Sequence, residues 1–217
     1  MAHLPITHSE EPIRLFKSDF MEFFTHIHPA VVVIIWAPVA IYFLAKSIFL
    51  ILNTSSRITL GLVTVVGLFL IGLFLWTLAE YLLHRFVFHF KPHTPRQERI
   101  TFLFHGVHHA QPQCKTRLVM PPIVSIPLSL AFFVLFQLII GQLMNSPLSV
   151  GPVFSGFISG YLTYDLTHYA THHFTMRHGF LRFLKRHHMS HHYKTPNRRY
   201  GVSSPLWDYV FKTMPAK

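Results

Sequence analysis

Residues 58–89, ITLGLVTVVGLFLIGLFLWTLAEYLLHRFVFH, join a long apolar run to a polar end that carries Glu80, His84 and His89. Residues 58–79 alone are long enough to cross a bilayer as a helix, which needs about 20 apolar residues. The sequence therefore predicts an all-α integral membrane protein with four transmembrane helices. The other three apolar stretches of comparable length are residues 29–52, 123–144 and 148–164.

Short polar connections pair the four predicted spans. Residues 53–57 and 145–147 leave little room between neighbouring spans, which predicts two helical hairpins. The organisation that follows is an N-terminal segment, residues 1–28, ahead of one domain, residues 29–217. Within that domain, residues 80–118 and 165–217 are predicted to form a helical cap outside the bilayer.

Basic residues indicate the side of the membrane on which this cap lies. The N-terminal segment, residues 80–118 and the part of the chain after His168 hold two, six and nine of the 19 Lys and Arg residues. Because cytosolic loops carry such an excess, the cap is predicted to be cytosolic. Either a bacterial inner membrane or the endoplasmic reticulum would fit this multi-pass topology.

Composition excludes several classes of protein. Hydrophobic residues make up 51% of the chain and charged residues 12%, against about 25% charged residues in a soluble domain. The net charge of +11 could suggest a nucleic-acid partner, but such a module needs no apolar runs of membrane length. The single cysteine, Cys114, excludes a cysteine-based zinc or iron–sulfur site.

Histidine is the unusual residue, with 18 in 217 positions. Ten of them form four spaced motifs beside the spans: HRFVFH from residue 84, HGVHH from 105, HYATH from 168 and HMSHH from 188. Residues three and four apart share a helix face, whereas His84 and His89 need a helix end or a bend between them. Ten imidazoles suit two metal ions with about five ligands each. The candidate ligands are His84, His89, His105, His108, His109, His168, His172, His188, His191 and His192.

Two carboxylates stand next to these motifs. Glu80 precedes His84 by one turn, and Asp165 lies three residues before His168. Each is expected to accept the distal N–H of a ligand imidazole, which would fix the tautomer; an ion pair with a basic residue such as Arg85 is the alternative. Tyr164 either lines the metal cavity or belongs to an aromatic belt. Asp208 and the other eight histidines, His187 and His173 among them, are expected to lie outside the ligand set.

The four histidine motifs, together with the tail YGVSSPLWDYVFKT at residues 200–213, resemble the fatty acid hydroxylase superfamily of membrane di-metal oxygenases. The tail narrows the resemblance to fatty acid 2-hydroxylases that act on sphingolipid acyl chains. The resemblance implies that the same ten histidines bind the metals and that Tyr164 and Asp165 flank the site. It also implies insertion of a hydroxyl group at C2 of a long-chain fatty acid or of the acyl chain of a ceramide, with O2 as co-substrate.

The expected cofactors and partners follow from that chemistry. No side chain attacks an unactivated C–H bond and zinc has no redox chemistry, so two iron ions are expected, although zinc could occupy the same nitrogens in purified protein. Relatives often carry an N-terminal b-type cytochrome domain, for which 28 residues are too few. We therefore expect no haem in this chain and a separate electron donor, either a b-type cytochrome or a ferredoxin-like protein with its reductase.

Other functions remain open at this point. A lipid desaturase or a sterol oxidase would share the metal site and the first hydrogen abstraction. A membrane metal transporter would need ionisable ligands near the bilayer midplane, where Lys46 is the lone charge. A histidine-rich lipid-binding scaffold that responds to pH would predict only mild effects of single ligand substitutions.

Overall fold

A computed structural model describes residues 6, 7, 9 and 11–215. Among these residues every regular element is helical and none is a strand. Three segments have the wider π-helical turn: Leu83–Phe88, Phe102–Gly106 and Gln137–Leu143. The α-helices are α1 (Asp19–Phe23), α2 (Pro29–Thr54), α3 (Ile58–Leu82), α4 (Pro95–Thr101), α5 (Val107–Ala110), α6 (Pro122–Phe136), α7 (Pro147–His173), α8 (Gly179–Tyr193) and α9 (Leu206–Val210).

Three helical stretches are long and apolar enough to cross a membrane. They are Pro29–Thr54, Ile58–Phe88 and Pro122–Leu143, and they contain three of the four predicted spans almost entirely. The fourth predicted span, residues 148–164, forms part of α7 and is not among them. Its serines, threonines and glycines make α7 less apolar, and residues 152–158 are all buried inside the protein. The described residues thus contain three membrane-capable helices where the sequence predicts four.

The chain divides into two compact units, of which one contains residues 30–76 and 121–163. We call it the span unit. Within it, α7 packs directly against the backbone of α3: a Cβ at Gly156 would lie 1.9 Å from the Phe69 carbonyl oxygen, and one at Gly72 would lie 2.0 Å from that of Val153. The Ser155 hydroxyl also donates to the Ala40 carbonyl of α2 at 2.7 Å. Small residues on α7 therefore let the helices of this unit approach closely.

The other compact unit contains residues 77–120, residues 164–215 and the described residues up to Pro29. We call it the histidine unit. The stretch between residues 80 and 118, predicted as part of a cap, is largely helical and includes α4 and α5. The N-terminal segment packs onto the loop that follows α5, since Ile27 N–H donates to the Thr116 carbonyl at 2.8 Å and Ile13 N–H to Gln111 Oε1 at 2.8 Å. The predictions for His3 and His8 lie outside the described residues.

Candidate metal centre

All ten predicted ligands gather in the histidine unit, where they form two groups of five. Within each group, one ring nitrogen of every histidine lies within 4.8 Å of those of the other four. The first histidine group is His84, His89, His105, His109 and His191; the second histidine group is His108, His168, His172, His188 and His192.

The motifs do not correspond to the groups one to one. His108 belongs to the second group and its neighbour His109 to the first, while His191 belongs to the first and His192 to the second. Both doublets lie on helices, α5 and α8, where successive side chains point about 100° apart. Each doublet therefore serves both groups and ties their positions together.

Two π-helical turns adapt the backbone to the first group. Leu83–Phe88 continues α3 with the wider turn, and His89 N–H donates to the His84 carbonyl at 3.1 Å, a bond between residues five apart. This turn brings the two imidazoles, five positions apart in sequence, into the same group. The second such turn, Phe102–Gly106, contains His105. Single π-helical turns are rare and occur often at functional sites.

The Nε2 atoms of each group face one another at short range. In the first group they follow one another from His84 through His105, His109 and His191 to His89 at 3.1–3.2 Å. In the second they run from His168 through His108, His192 and His188 to His172 at 2.9–3.0 Å. Ligands at right angles around an ion with metal–nitrogen bonds of about 2.1 Å lie about 3.0 Å apart. The nitrogen spacing in both groups therefore fits one transition-metal ion in each.

Hydrogen bonds at the opposite ring nitrogen fix the tautomer of two histidines. Nδ1 of His84 donates to the Tyr200 carbonyl at 2.5 Å, and Nδ1 of His191 donates to the Arg198 carbonyl at 2.7 Å. A neutral imidazole has one N–H, so the Nε2 atoms of both rings carry bare lone pairs that point into the first group. Buried lone pairs that face one another repel unless a cation lies between them, which again fits a metal ion.

Burial keeps these imidazoles neutral. Nine of the ten candidate ligands lie outside the membrane-capable helices. Desolvation is the largest cause of a lowered pKa at all nine, and the neighbouring histidines add to it at most of them. The pKa falls from 6.5 to about 3 at His168, where the Leu118 carbonyl opposes the shift, and to about 4 at His191, where the Arg198 carbonyl opposes it. A neutral imidazole is the form that binds metal. The other seven with a lowered pKa are His89, His105, His108, His109, His172, His188 and His192.

The predicted role of Glu80 needs correction. Its carboxylate accepts the backbone N–H groups of Val202 and Ser203 at 2.5 and 2.8 Å, and Oε2 also bonds to the Ser203 hydroxyl. None of these partners is an imidazole: Glu80 bonds to residues 202 and 203 of the loop whose Tyr200 carbonyl accepts from His84. Backbone carbonyls, rather than carboxylates, receive the Nδ1–H groups of His84 and His191.

Asp165 and Tyr164 lie in the histidine unit, where both are buried. The carboxylate oxygens of Asp165 accept the Met120 N–H at 3.2 and 3.3 Å. The ring of Tyr164 stacks on that of His168, with centroids 5.8 Å apart. Tyr164 therefore lies against a member of the second group. Asp165, on α7, bonds to the end of the loop that follows α5.

Sequence reasoning assigned no contact to Asp208, which is fully buried. Its carboxylate accepts from Nε2 of His187 at 3.0 Å and from the backbone N–H groups of Tyr200 and Gly201 at 2.8 Å each. Burial acts to raise the pKa of Asp208, but the bonds from His187, Thr213 and these amides outweigh it, so the pKa lies below its ordinary value. The available signal was the scarcity of acids, since only eight Asp and Glu residues occur in the chain.

The chain resembles known hydroxylases over most of its length. The sequence model of the fatty acid hydroxylase family matches residues 69–213. A dihydroceramide fatty acyl 2-hydroxylase of Arabidopsis thaliana is 35% identical over 98% of this chain and 84% of its own length. The fatty acid 2-hydroxylase of Homo sapiens is 36% identical over 98% of this chain, which spans 58% of that relative.

A solved structure has a similar fold. It is described as full-length scs7p with only the hydroxylase domain visible, and it superimposes with a TM-score of 0.79 at 35% sequence identity. The match covers 91% of this chain and 70% of that one. Sequence and fold therefore agree on the group of proteins to which this chain is similar.

Proposed function

Because this chain belongs to the fatty acid hydroxylase family, we propose that it is a membrane 2-hydroxylase, which inserts a hydroxyl group at C2 of a long-chain fatty acid or of the acyl chain of a sphingolipid. One observation carries the proposal: ten imidazoles, eight of them buried and two half-buried, form two groups of five in which neighbouring Nε2 atoms are about 3 Å apart. The C2 position is supported by the names of the relatives from Arabidopsis thaliana and Homo sapiens, both of which are 2-hydroxylases.

Each histidine group would hold one metal ion through its five Nε2 atoms. Iron is the metal that we propose for activity, since it supplies the redox chemistry with O2 that hydroxylation requires, whereas zinc would bind without supplying it. The electrons would come from a separate donor protein, either a b-type cytochrome or a ferredoxin-like protein with its reductase.

The residues around the two groups hold the histidine rings and the neighbouring loop in position. The carbonyls of Tyr200 and Arg198 hold the rings of His84 and His191 so that their lone pairs point inward. Glu80 holds residues 202 and 203 of the same loop. The ring of Tyr164 stacks on His168, and the carboxylate of Asp165 accepts the Met120 N–H. We therefore propose that both residues help to position the second group. Burial of all these groups limits the access of water to the site.

We further propose that the hydroxylase domain is residues 29–217, with four spans in two hairpins and the histidine unit on the cytosolic side. The excess of Lys and Arg outside the spans supports this orientation. Residues 148–164 would then cross the membrane surrounded by other helices, which explains why they need fewer apolar side chains. A bacterial inner membrane or the endoplasmic reticulum would accommodate this topology.

The test uses iron-loaded protein in lipid with a chemical reductant, isotope-labelled O2 and a ceramide whose acyl chain is deuterated at C2. We expect a ceramide that gains one labelled oxygen and loses one deuterium from C2, as read by mass spectrometry. His191→Ala and His108→Ala, one from each group, should lose both bound metal and product. Failure to form a labelled product, or formation of a double bond instead, would overturn the proposal, the second result in favour of a desaturase.

A further inference from the structure

Four consecutive backbone N–H groups, those of residues 200–203, donate to two buried carboxylates. Tyr200 and Gly201 donate to the two oxygens of Asp208 at 2.8 Å each. Val202 and Ser203 donate to Oε1 of Glu80 at 2.5 and 2.8 Å. Asp208 is 0% exposed and Glu80 is 3% exposed, so water does not screen the charge of Asp208. We call residues 198–203 the C-terminal loop.

One peptide group in this loop is bonded at both ends. The peptide that joins Tyr200 to Gly201 donates its N–H to Oδ2 of Asp208 at 2.8 Å, and its carbonyl accepts from Nδ1 of His84 at 2.5 Å. Peptide resonance links the two ends, and chains of hydrogen bonds polarise one another in a buried site. A negative charge at the N–H end therefore makes the carbonyl oxygen a stronger acceptor for His84.

We propose that Asp208 is a positioning residue for the first histidine group, which acts on His84 through the Tyr200–Gly201 peptide. It would hold the ring in the tautomer with Nδ1 protonated and make Nε2 a stronger metal ligand. Metal-binding histidines commonly donate their distal N–H directly to a carboxylate or a carbonyl. Here a peptide group stands between the carboxylate and the imidazole. This inference rests on one part of the proposed function, that the first group binds a metal ion, and does not depend on which reaction follows.

Two features of the same loop supply matched comparisons. His191 donates Nδ1–H to the Arg198 carbonyl at 2.7 Å, but that peptide's own N–H, on Arg199, donates to the neutral Thr213 carbonyl at 3.3 Å. Glu80, on α3, is a second buried carboxyl group beside the same loop, but it accepts from the N–H groups of residues 202 and 203, which belong to other peptide groups. The hydrogen-bonded connection through a peptide group therefore leads from Asp208 to His84, whereas Asp208 acts on His191 only through space, by its charge.

The experiment compares Asp208→Asn with Glu80→Gln in full-length, zinc-loaded protein. Each substitution replaces one buried carboxyl group beside the same loop with its amide. Chelator competition measures zinc affinity at each group. Two variants, His89→Ala in the first group and His172→Ala in the second, show which binding step belongs to which group. Proton NMR of isotope-labelled histidine measures the Nδ1–H resonances of His84 and His191, whose positions report hydrogen-bond strength.

For Asp208→Asn we expect about 10- to 100-fold weaker zinc binding at the first group, with the second group retained. The His84 Nδ1–H resonance should move upfield, and that of His191 should move less. Glu80→Gln should leave the His84 resonance near its original position. Equal shifts of that resonance in both variants, or equal loss of affinity at both groups, would overturn the proposal. Asp208 would then only stabilise the fold of the loop.

A milder variant covers the case in which Asp208→Asn does not fold. Thr213 donates its hydroxyl to Oδ1 of Asp208 at 2.6 Å, so Thr213→Val leaves more negative charge for the amides. The His84 resonance should then move downfield, a sign opposite to that of Asp208→Asn; an upfield shift or no shift would contradict the proposal. Neither readout requires turnover, so failure of hydroxylation with these shifts intact would refute the proposed function alone.

Discussion

At the scale of single residues, an ion pair between the buried Arg117 and the half-buried Glu22 connects the N-terminal segment to the loop after α5. The Arg117 guanidinium lies 2.5 Å from Oε1 of Glu22, and Oε2 of Glu22 accepts the backbone N–H groups of Leu15 and Phe16 at 2.9 and 2.7 Å. The carbonyls of Pro112 and Leu118, in the same loop, act on His172 and His168 by raising their pKa values against the effect of burial. The N-terminal segment thereby supports the second histidine group.

Replacement of Arg117 by alanine should release this segment. The substitution leaves the Glu22 carboxylate half-buried without its cation, and the loss of a charged hydrogen bond costs about 1.5–3 kcal/mol. We expect a lower melting temperature and faster cleavage by chymotrypsin at the exposed Phe20 and Phe23. Arg14→Ala is the control, since its bond to Asp19 is exposed and should contribute little. Cleavage at the same rate in both variants would contradict this role for Arg117.

Sequence patterns predicted ten candidate ligands with about five for each ion, and the structure gathers these histidines in two groups of five, but the patterns did not predict which histidine belongs to which group. His108 and His109 separate into different groups because neighbouring helical residues point about 100° apart, a consequence available only once the ends of α5 are known. The partners of Glu80 could not be predicted at all. They are backbone N–H groups 122 and 123 residues away, and a loop's path leaves no pattern in the sequence.

At the scale of elements, the same limit applies to α7. Its length and its apolar residues predict a helix, but hydropathy cannot distinguish a lipid-facing helix from one enclosed by others. Residues 152–158 of α7 are all buried, whereas α3 exposes Val63, Val66 and Leu70. The π-helical turn at Leu83–Phe88 was foreseen only as a need for a bend between His84 and His89.

The contact between α3 and α7 leads to a prediction with a matched control. Gly156→Ala would place a methyl group 1.9 Å from the Phe69 carbonyl oxygen, so the helices must separate, at a cost of about 1–3 kcal/mol. Gly67→Ala on α3 meets nothing within 4 Å and should be neutral or slightly stabilising. Melting temperatures in detergent would measure both. Similar values for the two variants would show that backbone contact at Gly156 does not limit stability.

At the scale of the whole molecule, the net charge of +11 counts every histidine as neutral. That assumption holds for the nine histidines whose pKa is lowered mainly by burial, such as His168 and His191. The large positive charge and the two histidine groups therefore have separate origins. Lys and Arg residues supply the charge, which favours one orientation in the membrane, while the buried imidazoles remain uncharged and able to bind metal.

This arrangement predicts how stability depends on pH. In the metal-free protein these nine histidines have a lower pKa when folded than the 6.5 of the unfolded chain, so below pH 6.5 the unfolded state binds more protons. The free energy of unfolding should not depend on these histidines above that value. Below it, the free energy of unfolding should fall by up to about 1.4 kcal/mol per pH unit for each such histidine. Melting temperatures of metal-free protein between about pH 8 and pH 5 measure the effect.

Bound metal should move this loss of stability to lower pH, because the ions compete with protons for the same nitrogens. The comparison is therefore made on metal-free and zinc-loaded protein across the same pH range. His93→Gln serves as the control, since His93 is exposed and lies outside both groups; it should leave both curves in place. A metal-free protein whose melting temperature stays constant down to pH 5, or one that follows the zinc-loaded curve, would contradict the burial of nine neutral imidazoles at two metal sites.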